Sequence, residues 1–284
     1  MGSRVSPTNP RTASRRAFAP LAIAVAMALV GLAPAGASAH IYWANSRGTI
    51  ERATNDGSEI DRGFIDAGAN PRGVAVDDTH VYWATRRGTI GRARLDGSRV
   101  NPHFITGTGR TMGIAIGRDS IYWVDRDRGI GRARLKAPHH ANRHFIADSG
   151  APLGIAADAH HIYWTSDERS SISRADLDGT DVQLDLVSTP HPYGIATGGS
   201  MIFWTNSRRG VIGRAERDGE RPDRSWIDTG PGALGIALTS ERVFWTAAEG
   251  RSQVGRAHLG GNNIRPHFIR GRGNPNGIAA EGDY

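Results

Sequence analysis

Six residues of unlike chemistry occupy one position of a recurring pattern: Arg72, Met112, Leu153, Tyr193, Leu234 and Asn276 each stand directly before a Gly-(Ile/Val)-Ala triplet. If the fold gathers them, a guanidinium, a phenol and an amide meet among apolar side chains. Arg72 then offers charge-assisted hydrogen bonds to an anion, while Tyr193 and Met112 offer apolar contact area. The set contains no carboxylate and one amide, Asn276. It is a ligand-binding set, and no catalytic residue is expected from it. Nearby in the pattern, nine arginines from Arg47 to Arg251 accompany Asp125, Asp127, Asp167, Glu168 and Glu249, a rim on which basic groups outnumber acidic ones.

Other constellations read as structure. Six Trp follow a Tyr or Phe and suggest an aromatic cage for a cation. Packed sheets lie about 10 Å apart, so ring-equivalent side chains cannot close around one small ion, and inter-sheet packing is the reading adopted. The Arg of a repeated Arg-Ala pair can lay its stem between sheets and rest its head on a carboxylate or backbone carbonyl. His139, His140 and His144 cluster in sequence without an acidic partner. With no cysteine in 284 residues, disulfide frameworks, thiolate metal sites and a catalytic thiol are excluded. No EF-hand loop, phosphate-cradling glycine motif or Gly-x-Ser-x-Gly elbow occurs. The carboxylates of Asp125-Arg126-Asp127 and Ser166-Asp167-Glu168 read as exposed loop charges. No cofactor or metal is expected.

The elements that must gather the six residues follow from periodicity. Tyr or Phe precedes Trp at 42/43, 82/83, 122/123, 163/164, 203/204 and 244/245, in steps of 40 or 41 residues. The Gly-(Ile/Val)-Ala triplets keep the same spacing, as do Arg-Ala pairs starting at Arg52 and an outer series starting at Phe64. Each unit holds four short strand candidates whose links are too brief for parallel crossovers, so neighbours run antiparallel. Asp-Gly pairs such as Asp56-Gly57 and Asp178-Gly179 predict tight type I′ hairpins between the third and fourth strands. Six tandem four-stranded units of about 40 residues predict an all-β, six-bladed β-propeller over residues 40–284. Residue 40 opens on a second strand and the chain ends on a first strand. One blade is therefore expected to be shared, closed by a C-terminal inner strand joining the N-terminal blade.

The stretch Gly73-Val-Ala-Val-Asp-Asp-Thr-His-Val-Tyr-Trp-Ala, followed by Gly88-Thr-Ile-Gly-Arg-Ala-Arg-Leu-Asp-Gly-Ser98, resembles the low-density-lipoprotein-receptor class B, or YWTD, repeat. The resemblance covers residues 40–284 and implies the six-bladed fold. The Asp that the family carries after Tyr-Trp-Thr is replaced here by Asn45, Thr85, Asp125, Ser166, Asn206 and Ala247, so five of six units depart from it. No cysteine-rich module flanks the repeats, and the resemblance implies a free-standing, secreted, bacterial-type relative.

Composition sets the compartment and the partner class. The formal charge is +7, yet the first 39 residues contribute four arginines and no acid, leaving the remainder nearly balanced. These 39 residues run from a basic stretch through an apolar segment at Ala17–Leu32 to Ala37-Ser38-Ala39, the order of a cleavable signal peptide. Ser14-Arg15-Arg16-Ala17-Phe18 fits the twin-arginine pattern. The expected product is a secreted monomer without stable membrane insertion. Its expected role is non-catalytic binding or scaffolding of an extracellular protein, glycan or other anionic partner at the channel mouth. The alternative is a metal-assisted hydrolase or lyase of the propeller lactonase type. Nucleic acid is not an expected partner, given the small mature charge and export. N-terminal sequencing of exported material is expected to begin at His40. Replacing both Arg15 and Arg16 by Lys is expected to abolish export, because an ammonium lacks the planar fork of a guanidinium; normal secretion of that double variant would leave only the general route.

Overall fold

Alternating side chains on short strands bury two faces at once, which is what tandem sheets packed face to face require. The computed structural model describes residues 1–3, 39–68, 70–248, 253–271 and 273–282. The signal segment with Arg15 and Arg16, together with Glu249, Arg251, Asp283 and Tyr284, lies outside the described residues. The chain divides into Met1–Ala37 and Ser38–Tyr284. The described residues of the second unit hold twenty-four strands, β1 to β24 in chain order, in six four-stranded antiparallel sheets. Blade 1 is built from β1 (His40–Asn45), β2 (Thr49–Thr54) and β3 (Ile60–Asp66), with β24 (Pro275–Ala280) as its inner strand. The other inner strands are β4 (Pro71–Val76), β8 (Thr111–Gly117), β12 (Pro152–Ala157), β16 (Pro192–Gly198) and β20 (Ala233–Leu238). Ring closure is as expected. Ile41 and Tyr42 face Ala280 and Ala279 across the ladder, the register in which Val81 and Tyr82 face Val76 and Ala75.

Tyr and Trp are adjacent in sequence, so they point to opposite faces of a blade. Tyr42 packs toward blade 2 in a cluster with Val74, Val81, Trp83 and Ala93. Trp43 packs the other way, with Phe244, Val254 and Ile269 of blade 6 and Ile278 of β24. Five of the six indoles that follow a Tyr or Phe are among the largest fully buried side chains, and burying each contributes about 4–6 kcal/mol of transfer free energy.

Glycine permits the inner strands to meet. A Cβ on Gly277 would stand 2.6 Å from the Arg72 carbonyl oxygen, and one on Gly235 2.6 Å from that of Asn276. Three joints are also clasped by a threonine from the second strand. Thr205 Oγ1 accepts from the Gly194 amide at 2.8 Å and donates to the Leu234 carbonyl of the next blade at 2.6 Å. Thr165 does the same between Gly154 and Tyr193, and Thr246 between Gly235 and Asn276. Blades 1 to 3 carry Ala44, Ala84 and Val124 at this position and have no hydroxyl to offer.

The Asp-Gly pairs do not form the expected type I′ hairpins. Asp56, Asp96, Asp178 and Asp218 keep ordinary φ, while Gly57 (φ 78°) and Gly179 (φ 90°) are left-handed, as are Arg99 (φ 55°) and Asp181 (φ 48°) further along. The links are longer than two residues, and the Asp side chain caps them. Asp56 Oδ1 accepts from the Ser58 amide at 3.0 Å and from the Thr54 and Ser58 hydroxyls, and these bonds hold its carboxyl far below the usual range. The glycine serves a second purpose, because a Cβ on Gly57 would stand 2.6 Å from the Phe268 ring of blade 6. Outer-strand aromatics thus tuck beneath the turn of the next blade.

The Arg-Ala arginines lie between blades as expected. Arg52 donates to the Leu95 carbonyl of blade 2 at 3.2 Å and Arg256 to the Asn55 carbonyl of blade 1 at 3.0 Å. The sequence reading did not anticipate that their guanidinium planes also cover outer-strand rings, at 4.1 Å for Arg52 over Phe64 and 4.0 Å for Arg256 over Phe268.

The wedge between blades 1 and 6 differs from the others. Gly91, Gly131, Gly213 and Gly255 face the blade tryptophan across the ladder, and Ser173 does so in blade 4, whereas Glu51 faces Trp43. Glu51 is 4% exposed. Asn45 Nδ2 donates to its Oε1 at 2.6 Å and Arg62 to its Oε2 at 3.4 Å, while Arg62 also donates to the Arg270 carbonyl of blade 6 at 2.6 Å. Burial pushes the Glu51 carboxyl above its usual range, against the pull of Arg62 and Asn45. The fold therefore favours the neutral acid. That contribution is complete below the unfolded-state pKa and is lost as pH rises through the raised value. Glu51→Gln is expected to raise the melting temperature at pH 7 and to lose that advantage below about pH 4; no gain at pH 7 would contradict the assignment. Deleting residues 277–284 empties the inner slot of blade 1 and exposes its ladder groups, so the melting temperature is expected to fall far more than trimming a frayed end would cause.

Candidate functional site

The inner strands run along a central channel, and the residues before their glycines reach one end of it. Arg72, Met112, Leu153, Tyr193 and Asn276 line a cavity of about 60 Å³ at that mouth. Leu234, the sixth expected member, is half-buried and lies outside the lining, where its blade contributes Gly235 and Ile236. Deeper in, Val74, Ile114, Ile155, Ile195, Ile236 and Ile278 line both this cavity and one of about 130 Å³ toward the other end. Each of the six is 5–6% exposed, so the channel has an aliphatic waist. The sequence reading did not single out this ring, although the Gly-(Ile/Val)-Ala triplets contain it.

Arg72 spans the mouth beside Asn276, donating through Nη1 to Oδ1 at 3.0 Å. The Asn276 amide faces the Pro71 carbonyl at 3.4 Å. The Arg72 Nε is buried and has no hydrogen-bond partner. Across from it, burial raises the Tyr193 hydroxyl above its usual range, and the charges of Arg72 and Arg126 oppose that rise. One cation, Arg72, and a phenol therefore share one small opening. A cavity of this size admits a single anionic group such as a carboxylate and leaves the rest of any larger ligand outside.

The rim carries more charge than the mouth. Arg110 pairs with Asp127 at 3.7 Å, Arg128 with Asp125 at 3.8 Å, and Arg169 meets Asp185 through two bonds of 3.0 and 2.7 Å. The guanidinium groups of Arg47, Arg86, Arg87, Arg126, Arg208 and Arg209 have no partner among the described residues. Asp125 corrects the sequence reading. It is 2% exposed and accepts the Asp127 amide at 3.1 Å, because it ends a strand and caps the following loop instead of projecting into solvent. Asp167 pairs with His191 at 3.0 Å.

The two ends of the propeller differ in sign. Described loop residues at the mouth end comprise nine bases and four carboxylates, and those at the opposite end thirteen carboxylates and five lysines or arginines. The small overall charge conceals this separation. Its signal is present in the sequence as Arg-Gly turns after Tyr-Trp and Asp-Gly turns before the outer strand, but it becomes legible only once each loop is assigned to an end. Carboxylates at the acidic end are engaged in the fold: Asp77 accepts from the Tyr82 hydroxyl at 2.8 Å and the His80 amide at 2.8 Å, and Glu281 accepts from the Tyr42 hydroxyl and the His40 amide.

His139 and His140 are near neighbours, ring centroids 4.6 Å apart, on an outer strand remote from the mouth. Among the described residues no group of three or more His, Asp or Glu is placed to hold a metal ion.

No protein-family model matches the chain, and no curated protein matches it. Solved structures do. A chain of the nidogen/laminin complex is 21% identical with a TM-score of 0.70, over 85% of this chain and 98% of that one. A gluconolactonase of Xanthomonas campestris is 17% identical with a TM-score of 0.60, over 73% of this chain and 78% of that one. Virginiamycin B lyase of Staphylococcus aureus is 18% identical with a TM-score of 0.51, over 73% of each. At these identities the likeness is one of fold, and it includes both a binding propeller and enzymes.

Proposed function

We propose that this chain is an exported, monomeric propeller of the YWTD type that binds, without chemistry, an anionic group of an extracellular partner at the channel mouth. The observation that carries the reading is the Arg72 guanidinium facing the Tyr193 phenol in the lining of a cavity sized for one such group. The likeness to a chain of the nidogen/laminin complex supports binding as a use of this fold. A lactonase-type metal site needs convergent oxygen or imidazole ligands, and among the described residues the mouth lining offers no carboxylate or histidine. The residues present do not fit such an ion, and no catalytic step is assigned to them.

Titrating acetate, citrate and sulfate against the purified protein is expected to shift the Arg72 Nε–Hε resonance saturably with at least one of them. A hydrogen bond to a charged group contributes about 1.5–3 kcal/mol, so Arg72→Ala is expected to weaken that binding at least tenfold. Tyr193→Ala is expected to speed dissociation, and His160→Ala, at the opposite end, to change nothing. No saturable shift, or loss through His160→Ala alone, would assign the wrong end.

A further inference from the structure

We infer that the mouth end of the propeller is a docking face for a linear acidic polysaccharide, whose carboxylate or sulfate groups are held along the rim by Arg47, Arg86, Arg87 and Arg126 while one of its anionic groups enters the mouth. The inference deepens the mouth reading and rests on it. Three observations carry it further than a single anion. The mouth cavity of about 60 Å³ takes one charged group, so the bulk of a ligand lies on the rim. Four of the six unpartnered rim arginines lie on consecutive blades, Arg47 in blade 1, Arg86 and Arg87 in blade 2 and Arg126 in blade 3, and all four are exposed; Arg208 and Arg209 lie across the mouth in blade 5. Arg72, the mouth cation, belongs to the middle blade of this arc. A run of anions at regular spacing matches that arrangement, because each guanidinium presents a planar fork to a carboxylate or sulfate.

The chemistry of the same face disfavours a folded protein as the occupant. Protein interfaces are centred on apolar or aromatic anchors. The exposed large apolar residues of the propeller, Ile60, Val100, Val182 and Ile264, all lie in or beside the third-to-fourth strand links, at the opposite end. That end is also the acidic one, and it repels a polyanion. Docking is therefore one-sided, with the channel axis perpendicular to the polymer.

The test uses the full purified chain against heparin, polygalacturonate, poly-L-glutamate and a 20-base-pair DNA duplex, by biolayer interferometry from low to physiological salt. Heparin, polygalacturonate or both are expected to bind at least tenfold more tightly than poly-L-glutamate and the duplex, with an affinity that falls steeply with salt. Preference for heparin identifies sulfate, and preference for polygalacturonate carboxylate. Arg86→Ala/Arg87→Ala is expected to weaken binding at least tenfold and to flatten the dependence of log K on log salt by about two. The melting temperature should not change, since both side chains are exposed and unpaired. Binding that survives the double variant but is lost on Tyr193→Ala would overturn the rim inference and leave the mouth reading intact. Loss with the double variant and none with Tyr193→Ala or Arg72→Ala would sustain the rim and overturn the mouth. Failure of both polysaccharides to bind, or equal or tighter binding of poly-L-glutamate or the duplex, would overturn the inference.

Discussion

Everything in this propeller depends on how closely six inner strands can approach one another. The glycine before each Ile or Val removes the side chain that would strike the neighbouring backbone, as the 2.6 Å from a Gly277 Cβ to the Arg72 carbonyl oxygen illustrates. With that contact allowed, the strands form a ring narrow enough for six aliphatic side chains to close its waist. Blades radiating from so tight a centre face one another over their whole width, so each wedge takes the Tyr or Phe of one blade and the Trp of the next. The outermost contacts obey the same rule of one residue serving two blades, with an aromatic beneath the next turn and a guanidinium over the aromatic.

Much of this was legible in the residues. Spacing alone gave the blade count, the strand order and the shared blade, because a repeat that must bury both faces allows few arrangements. The convergence of Arg72, Met112, Leu153, Tyr193 and Asn276 followed from their place before the innermost strand. What escaped the sequence depended on local geometry. The Asp-Gly pairs satisfied a hairpin rule, yet loop length let the aspartate accept amides two residues on. Asp125 looked like one of several loop charges and proved to be a buried cap. Leu234 shares the pattern of its equivalents and falls short of the lining. Glu51 stands where four of the other blades have glycine, and nothing in its neighbourhood in sequence announces that burial.

The distribution of charge reflects two different uses of polar groups. At one end, aspartates and glutamates accept hydrogen bonds from turn amides and tyrosine hydroxyls, and their charge is consumed in holding the loops. At the other, several arginines sit on loops already closed by backbone bonds, such as the Gly48 amide to the Asn45 carbonyl at 3.0 Å. Those side chains contribute nothing to the loop that carries them.

The threonine clasps divide the ring into unequal halves. Joints 4/5, 5/6 and 6/1 are pinned through a threonine hydroxyl, whereas joints 1/2, 2/3 and 3/4 lack that clasp, and joint 1/2 is bridged instead by Arg72 donating to Asn276. A closed ring is a set of joints in series, and any distortion imposed at its centre collects in the softest of them. The unclasped arc is the one that presents Arg72, Met112 and Leu153, opposite the clasped arc that presents Tyr193. The carbonyls of Tyr193, Leu234 and Asn276 each hold a threonine hydroxyl and those of Arg72, Met112 and Leu153 meet no threonine, so the bonding that holds the mouth to its width is unequal around its circumference.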